Sequence, residues 1–414
     1  MKKISSNKKH LPFAKTGMSA AILSVATLNL LGVSSKSFAE AAPERGEISI
    51  KYLDYLDYQA DADRIRIKAP SLMVMTPIAG EWSVTATAVS DAVSGASPQY
   101  YNSKVTPMHD RREAYSLSVS KYMPSNVLTL GTSRSSEHDY VSNGYSGQIS
   151  FLSDDKNTTW TIGLGYSADK ILPNSINLTT QERKNVLDGA LGLTQVMGPY
   201  DLAQVTYRHS RGRGYYSDQY KFLDNRPRER DSDSILLRWN HHFPTLDSTL
   251  RSSYRYYEDT YKIRAHTLGF EYVQNLKDGW TVMPLVRYYS QTQANFFYAP
   301  NYSDVTATSC VTSLLAVPGY TLDAAKDTCH LGVPLSVVQD LYAAGGYTSM
   351  DSRLSSFGAI TYGMKLTKKV AKDWVMDMKY EKYEQRSNWA LSNGTPGLAP
   401  FHARSYQLGV TYYF

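Results

Sequence analysis

From Arg45 to its last residue the chain alternates apolar and polar side chains with a period of two, segment after segment. Trp160-Thr-Ile-Gly-Leu-Gly-Tyr166, Tyr115-Ser-Leu-Ser-Val-Ser120 and Thr267-Leu-Gly-Phe-Glu-Tyr272 each place mostly aliphatic or aromatic groups on one face and Ser, Thr, Gly or a charge on the other. Successive side chains of an extended strand point to opposite sides, so these segments read as strands with one apolar and one polar face. A mean hydropathy below zero excludes a bundle of membrane helices, each of which needs about 20 consecutive apolar residues. What remains is a sheet that hides its apolar face in a soluble core or presents it to lipid as a closed ring of strands.

The pattern predicts an all-β chain, an antiparallel up-and-down transmembrane barrel of about sixteen strands, within a range of about 14 to 18. The spans are 46–59, 63–76, 80–93, 110–123, 126–138, 143–153, 157–169, 183–197, 200–211, 233–243, 247–258, 262–275, 279–293, 352–367, 373–386 and 403–414. Connections after even-numbered strands are short, as in Pro77-Ile-Ala-Gly80, Pro124-Ser-Asn126 and Lys277-Asp-Gly279. Several after odd-numbered strands are long: 94–109, 170–182, 212–232, 294–351 and 387–402. A soluble sandwich has no reason to sort loop length by strand parity, whereas outer-membrane barrels have short periplasmic turns and longer external loops. Both termini are then expected in the periplasm. Trp82, Trp160, Trp280 and Trp374 follow short turns and Trp239 ends an inward-running strand, so all five fall at one membrane interface; Trp389 is the exception. The 33 tyrosines suit the same boundary, being apolar at one end and polar at the other.

Lys2, Lys3, Lys8, Lys9 and Lys15 precede the mostly apolar stretch Met18 to Val33, and Ser37-Phe38-Ala39 is a small-x-small cleavage site. Residues 1–39 thus read as a cleaved secretory signal and 40–414 as a single barrel domain, destined for the outer membrane of a Gram-negative envelope. Cys310 and Cys329 share the loop 294–351 and are expected to pair in an oxidising compartment, closing a loop worth about 3 kcal/mol in the chain-entropy model. A metal reading lacks ligands there beyond His330, and the adjacent His241 and His242 point to opposite faces of a strand, so no metal or other cofactor is expected. A formal net charge of +6 without a long basic run argues against a nucleic-acid partner.

The last strand, Gln407-Leu-Gly-Val-Thr-Tyr-Tyr-Phe414, has the form of a segment read by the barrel-assembly machinery, with Gln407, Gly409, Tyr412 and Phe414 as the spaced signal. Leu408, Val410, Tyr412 and Phe414 form its outward stripe.

Further residues carry a resemblance. Arg64-Ile-Arg-Ile67 before Pro70, Trp82-Ser-Val84, Asp91-Ala-Val-Ser-Gly-Ala-Ser-Pro98, Asp110-Arg-Arg112, and Glu137-His-Asp-Tyr140 with Ser142 resemble a bacterial family known as domain of unknown function 3570. The likeness runs from about residue 46 to the C-terminus and implies an outer-membrane barrel. It brings no assigned activity, and so no catalytic residues to carry over.

Reading the polar face strand by strand gives Arg64, Arg66, Arg208, Arg238, Arg251, Arg255, Glu271, Arg287, Asp377, Lys379 and Glu381 as lumen candidates, with Lys51, Lys68, Asp91, Asp188, Arg353 and Lys365 alongside. Bases outnumber acids, which biases a water-filled lumen toward anions, unless the charges pair across strands and only hold the interior together. Pro334 to Tyr342 has the spacing of a short helix, so loop 294–351 is expected to fold over the mouth, as a gate or as an inert lid. Arg226, Arg228 and Arg230 are expected outside, against lipopolysaccharide phosphates or solvent. The expected function is a pore for small hydrophilic, anion-leaning solutes. The alternative is a non-conducting adhesin, receptor or scaffold for an envelope partner. An outer-membrane hydrolase is disfavoured, because Gly-x-Ser-x-Gly is absent and no nucleophile–base set is recognisable.

Overall fold

A computed structural model describes residues 42–59, 62–95, 108–174, 178–221, 224–298 and 346–414. The signal segment and both cysteines lie outside the described residues. The first half of the sheet is β1 (Glu47–Gln59), β2 (Ala62–Ile78), β3 (Trp82–Gly95), β4 (Met108–Tyr122), β5 (Asn126–Ser136), β6 (Tyr140–Leu152), β7 (Thr158–Ile171) and β8 (Glu182–Val196). The second half is β9 (Asp201–Gly214), β10 (Glu229–Phe243), β11 (Ser248–Asp259), β12 (Arg264–Asn275), β13 (Trp280–Gln291), β14 (Phe357–Ala371), β15 (Trp374–Arg386) and β16 (Phe401–Tyr413). Every strand pairs antiparallel with its sequence neighbours, and β1 pairs with β16 from Glu47↔Tyr413 to Tyr58↔His402, so the sheet has no free edge.

The apolar phase of the alternation faces out. Leu164 (64% exposed), Tyr145 (58%) and Ile50 (59%) would be costly against water, and they belong to a belt of exposed Leu, Ile, Val, Met and aromatic side chains running round the ring. A closed sheet with an apolar exterior satisfies every backbone amide within the ring while offering lipid only side chains. Trp82, Trp160, Trp239, Trp280 and Trp374 all sit exposed at the short-turn rim. Lys121 and Lys368 lay their ammonium groups 5.0 Å above the rings of Trp82 and Trp280. Tyr115, Tyr145, Tyr166, Tyr207, Tyr254, Tyr362 and Tyr406 form the outward aromatic band toward the other rim.

Turns at the short rim are local and strained where they must be. Ala79 (φ 53°) and Gly80 (φ 71°) both take the left-handed conformation that matches a tight hairpin to the twist of its strands. At the seam, Gly46 and Phe414 exchange backbone hydrogen bonds of 2.9 and 3.0 Å. The Phe414 ring lies where a Cβ on residue 46 would be, so Gly46 gives the terminal aromatic its seat.

Two departures from the sequence reading matter for the interior. Between β1 and β2 the register shifts at Asp57/Tyr58, leaving Arg64 as the extra residue of a bulge. The strand at 352 is instead a 3₁₀ turn, Ser352–Leu354, capped by the Asp351 side chain accepting from the Arg353 amide, and β14 begins at Phe357.

Candidate functional site: the lumen wall and its mouth

The polar phase of sixteen strands lines the lumen, and it divides into two unlike walls. Over β3 to β7, below an inward buried ion pair of Asp91 with Arg112 and an Asp169 that meets Lys184 at 3.2 Å near the long-loop rim, it is made mainly of short side chains: Thr85, Thr87, Ser116, Ser118, Ser120, Thr129, Ser133, Ser146, Ser150 and Thr161, interspersed with Gly131, Gly144, Gly163 and Gly165. Cross-strand hydroxyls satisfy one another, Ser120 with Thr129 at 2.8 Å and Ser150 with Thr161 at 3.1 Å. Over β8 to β16 the same phase carries long charged groups.

On that second wall Arg208 pairs with Asp188 at 3.2 Å, and Arg251 with Glu271 at 3.7 Å. Arg238 donates to the Gln204 side-chain oxygen at 3.2 Å. Arg255 lies 5.9 Å from the centre of the Tyr257 ring. Arg287 stands opposite Gly269 and Thr361. Among the described residues no ion pair ties Arg238, Arg255 or Arg287 to a carboxylate. Asp377, Lys379 and Glu381 share the inward face of β15: Lys379 meets Glu381 at 3.0 Å, and Asp377 meets Lys365 at 3.7 Å. Gly409 of the terminal strand lies against Asp377, where a Cβ would collide with the carboxylate. Gln407 faces in opposite Lys379, while Tyr412 faces out and packs 4.8 Å from the Trp374 ring centre.

Arg66 is a correction. It lies on the outward face, half exposed, and holds Asp54 at 2.6 Å. Lys68 shares that outward phase, opposite Asp54. The bulge is the physical reason: the extra residue turns both Arg64 and Ile65 inward and reverses the phase of everything after them. Arg64 is buried near the mouth, 5.1 Å over the Phe401 ring. Its Nη1 donates to Gln59 at 2.6 Å, and its Nε stands 4.0 Å from Asp57.

At the long-loop rim the charged wall is roofed. Tyr257, Tyr289, Phe357 and Tyr383 project inward from the strands and pack against buried Tyr261, Ile263, Phe297, Leu354 and Leu398 of the connecting segments. Above this apolar layer sits a buried ion cluster centred on Asp351. Arg226 reaches it at 2.8 Å and Lys221 at 3.6 Å, and Arg353 grips it directly. Arg226 also holds Asp224 at 2.9 Å, and Arg353 holds Asp218 at 3.1 Å. Burial pushes the Asp351 carboxyl up, but Arg353, Lys221 and Arg226 outweigh it and hold it well below the usual carboxylate range.

Two sequence expectations are thereby corrected. Arg353 is part of this roof and does not line a strand. Arg226, Arg228 and Arg230 are spent on Asp351, Glu182 (2.6 Å) and Asp259 (2.7 Å), so this cluster does not offer three free cations to lipid phosphates. Asp351, Asp218 and Asp224 escaped the sequence reading. The only hint was the excess of arginine at 226–230, which demands counter-charges from somewhere.

The mouth also holds Asp110, Glu137 and Asp139, whose carboxylate oxygens all lie within 4.8 Å of one another, and residues 218–221 bridge this trio to the Asp351 cluster. Asp139 accepts from Gln219 at 3.1 Å and from the Tyr220 hydroxyl. Burial, with Asp110 and Asp139 adding repulsion, pushes Glu137 up to about 8. A proton on Glu137 therefore relieves the crowding at neutral pH.

A closed sixteen-strand antiparallel ring with an apolar exterior and a polar interior defines a membrane-spanning β-barrel of the outer-membrane class. The family described as "Protein of unknown function (DUF3570)" matches residues 20–106 and 100–402, and the chain belongs to it. Among curated proteins no sequence matches the chain. Solved structures with a similar course include a bacterial polysaccharide outer membrane secretin, with a TM-score of 0.46 and 9% identity over 89% of this chain and 98% of that one. Pseudomonas aeruginosa OccK2 (OpdF) in complex with glucuronate gives a TM-score of 0.42 and 10% identity over 90% and 98% of the two chains. The siderophore receptor PirA from the same organism gives 0.39 and 9% over 90% and 81%.

Proposed function

We propose that the barrel is a pore for small hydrophilic solutes that favours anions, with its long-loop rim outside the cell and both termini in the periplasm. The observation that carries this reading is the charged wall: Arg238, Arg255 and Arg287 project inward, and among the described residues no carboxylate is paired to them. A fixed charge about 4 Å from a passing ion contributes roughly 1 kcal/mol even in water, about fivefold in partition. Sixteen strands make a ring wide enough for an aqueous passage. The terminal strand, with Phe414 seated on Gly46, serves on this reading as the segment that the assembly machinery recognises. No catalysis is assigned to the barrel.

The test is planar-bilayer recording of the purified protein across a salt gradient. Discrete channels with a reversal potential on the anion side are expected, and a cation-side potential would overturn the preference. One observation favours a second reading, a non-conducting receptor: connecting segments pack and ion-pair over the charged wall at the long-loop rim. Silence in the bilayer from the native protein, together with conduction once the roof is loosened, would select that reading.

A further inference from the structure

The outward face of β7 and β8 at the long-loop rim carries an unusual pair. Lys170 stands directly opposite Arg183, both exposed, one cation against another. Like charges directly opposite in an antiparallel pair destabilise it unless a counter-charge intervenes. Among the described residues none is supplied nearby. The connection from Ile171 to Gln181 contains no acidic residue, and the acids flanking the pair in sequence, Asp169 and Glu182, are engaged by Lys184 at 3.2 Å and Arg228 at 2.6 Å. The outward carboxylates nearest on β9 and β10, Glu229 and Asp231, are both held by Arg213, at 3.3 and 2.6 Å. Elsewhere on this rim several outward bases meet acids, Arg66 with Asp54 at 2.6 Å, Arg111 with Glu113 at 3.3 Å and Arg386 with Glu384 at 2.5 Å, and the other outward cation pair, Lys382 opposite Arg404, has Glu384 and Asp54 within electrostatic reach.

The surface beneath the pair is graded. Next below Lys170 and Arg183 comes a row of small or polar groups, Asn143, Ala168 and Asn185, with Arg134 bonded to Asn143 at 3.2 Å at its edge. Below that row come Tyr145, Tyr166 and Leu187, exposed and continuous with the lipid-facing belt. From apolar stripe to cations is four residues of strand, about 13 Å.

We propose that this face docks a phosphorylated glycolipid of the surrounding leaflet, with Lys170 and Arg183 binding its phosphate. Its polar headgroup lies over Ala168 and Asn185, and its acyl chains lie along Leu187 and Leu164. The order of surfaces down the sheet matches the order of parts in such a lipid. A soluble anion would have no use for the apolar stripe. The proposal rests on the reading that this rim lies at the outer leaflet.

Binding is tested on the purified full chain in a non-ionic detergent, by native mass spectrometry and by titration, using diphosphoryl lipid A, its dephosphorylated form, phosphatidylglycerol and inorganic phosphate. Diphosphoryl lipid A is expected to bind at least tenfold more weakly to the K170N/R183N variant than to the native chain. The K121N variant, altered at the other rim, is expected to bind as the native chain does. Dephosphorylated lipid A should lose the same factor on the native protein, which keeps the test valid if the double variant fails to fold. The charge-preserving K170R/R183K variant should retain binding. Equal binding by K170N/R183N, or inorganic phosphate displacing the lipid at matching concentration, would overturn the proposal. A preference for phosphatidylglycerol would overturn the glycolipid assignment and, with it, the orientation. Ion selectivity of K170N/R183N should equal that of the native chain, so failure here and failure of the pore reading are separable.

Discussion

The two walls of the lumen share one backbone and differ in reach. Below the rim, where Asp91 pairs with Arg112 and Asp169 with Lys184, the inward phase of β3 to β7 is mainly Ser, Thr and Gly, and its hydroxyls turn to each other across strands, as Ser120 and Thr129 do at 2.8 Å. On β8 to β16 the same phase is Arg, Lys, Asp and Glu, whose longer side chains carry charge toward the axis. The roof follows the same division. The aromatic layer of Tyr257, Tyr289, Phe357 and Tyr383 and the Asp351 cluster stand on the charged side, while the acid trio of Asp110, Glu137 and Asp139 stands on the hydroxyl side. On the pore reading, a passage with one passive wall and one charged, partly covered wall would steer a solute to one side, and its selectivity and its closure would be set on the same strands.

The largest effect is expected at the roof. Asp351→Asn leaves Arg226, Arg353 and Lys221 buried around a neutral group, and removing one partner from a buried ionic cluster costs about 3–5 kcal/mol. Hydrogen exchange should rise sharply over 346–356 and 224–228, while the turn at 137–139, joined to this cluster only through residues 218–221, should lose much less protection. Uniform loosening would erase the division of the mouth.

A pH series sharpens the contrast, because the two sides respond with opposite sign. Glu137 has its pKa raised from an ordinary 4.5 to about 8. Its folded form binds the proton more tightly than the unfolded chain, so its contribution is complete below 4.5 and is lost as the pH climbs toward 8. Asp351 is depressed, so its contribution is complete above the ordinary 3.8 and is lost only as the pH falls well below that. Protection at 137–139, with exchange rates corrected for their base-catalysed rise with pH, should therefore fall between pH 5 and pH 8, and Glu137→Gln should flatten that profile with little effect on 346–356. A flat profile in the native chain would contradict this sign.

The smallest effect belongs to the hydroxyl wall. Thr129→Ala removes one half-buried side-chain hydrogen bond and should lower stability by about 1 kcal/mol, with no change in ion selectivity. A selectivity change from that substitution would mean that the hydroxyl wall is not passive.

Much of this was legible in the sequence because lipid leaves little freedom: a one-residue slip would turn every polar side chain outward, so alternation sets the phase of each unbroken strand. Arg208, Arg238, Arg251, Arg255 and Arg287 could be placed inward on that basis. Arg66 could not, since the bulge before it has no glycine or proline to announce it, and one extra residue reverses the phase. The roof was hidden for another reason. Arg226 and Asp351 are 125 residues apart, and no local pattern links a loop arginine to an aspartate that caps a 3₁₀ turn on a different connection.

The division of the lumen is tested most directly by replacing Arg238, Arg255 and Arg287 together with serine, which extends the hydroxyl wall around the ring, and by recording reversal potentials beside the native protein in the same salt gradient. The native channel should favour anions and the triple variant should lose that preference by about fivefold or more, roughly 1 kcal/mol per charge removed from the ion's path. An unchanged reversal potential would mean that these arginines do not face the conducting path.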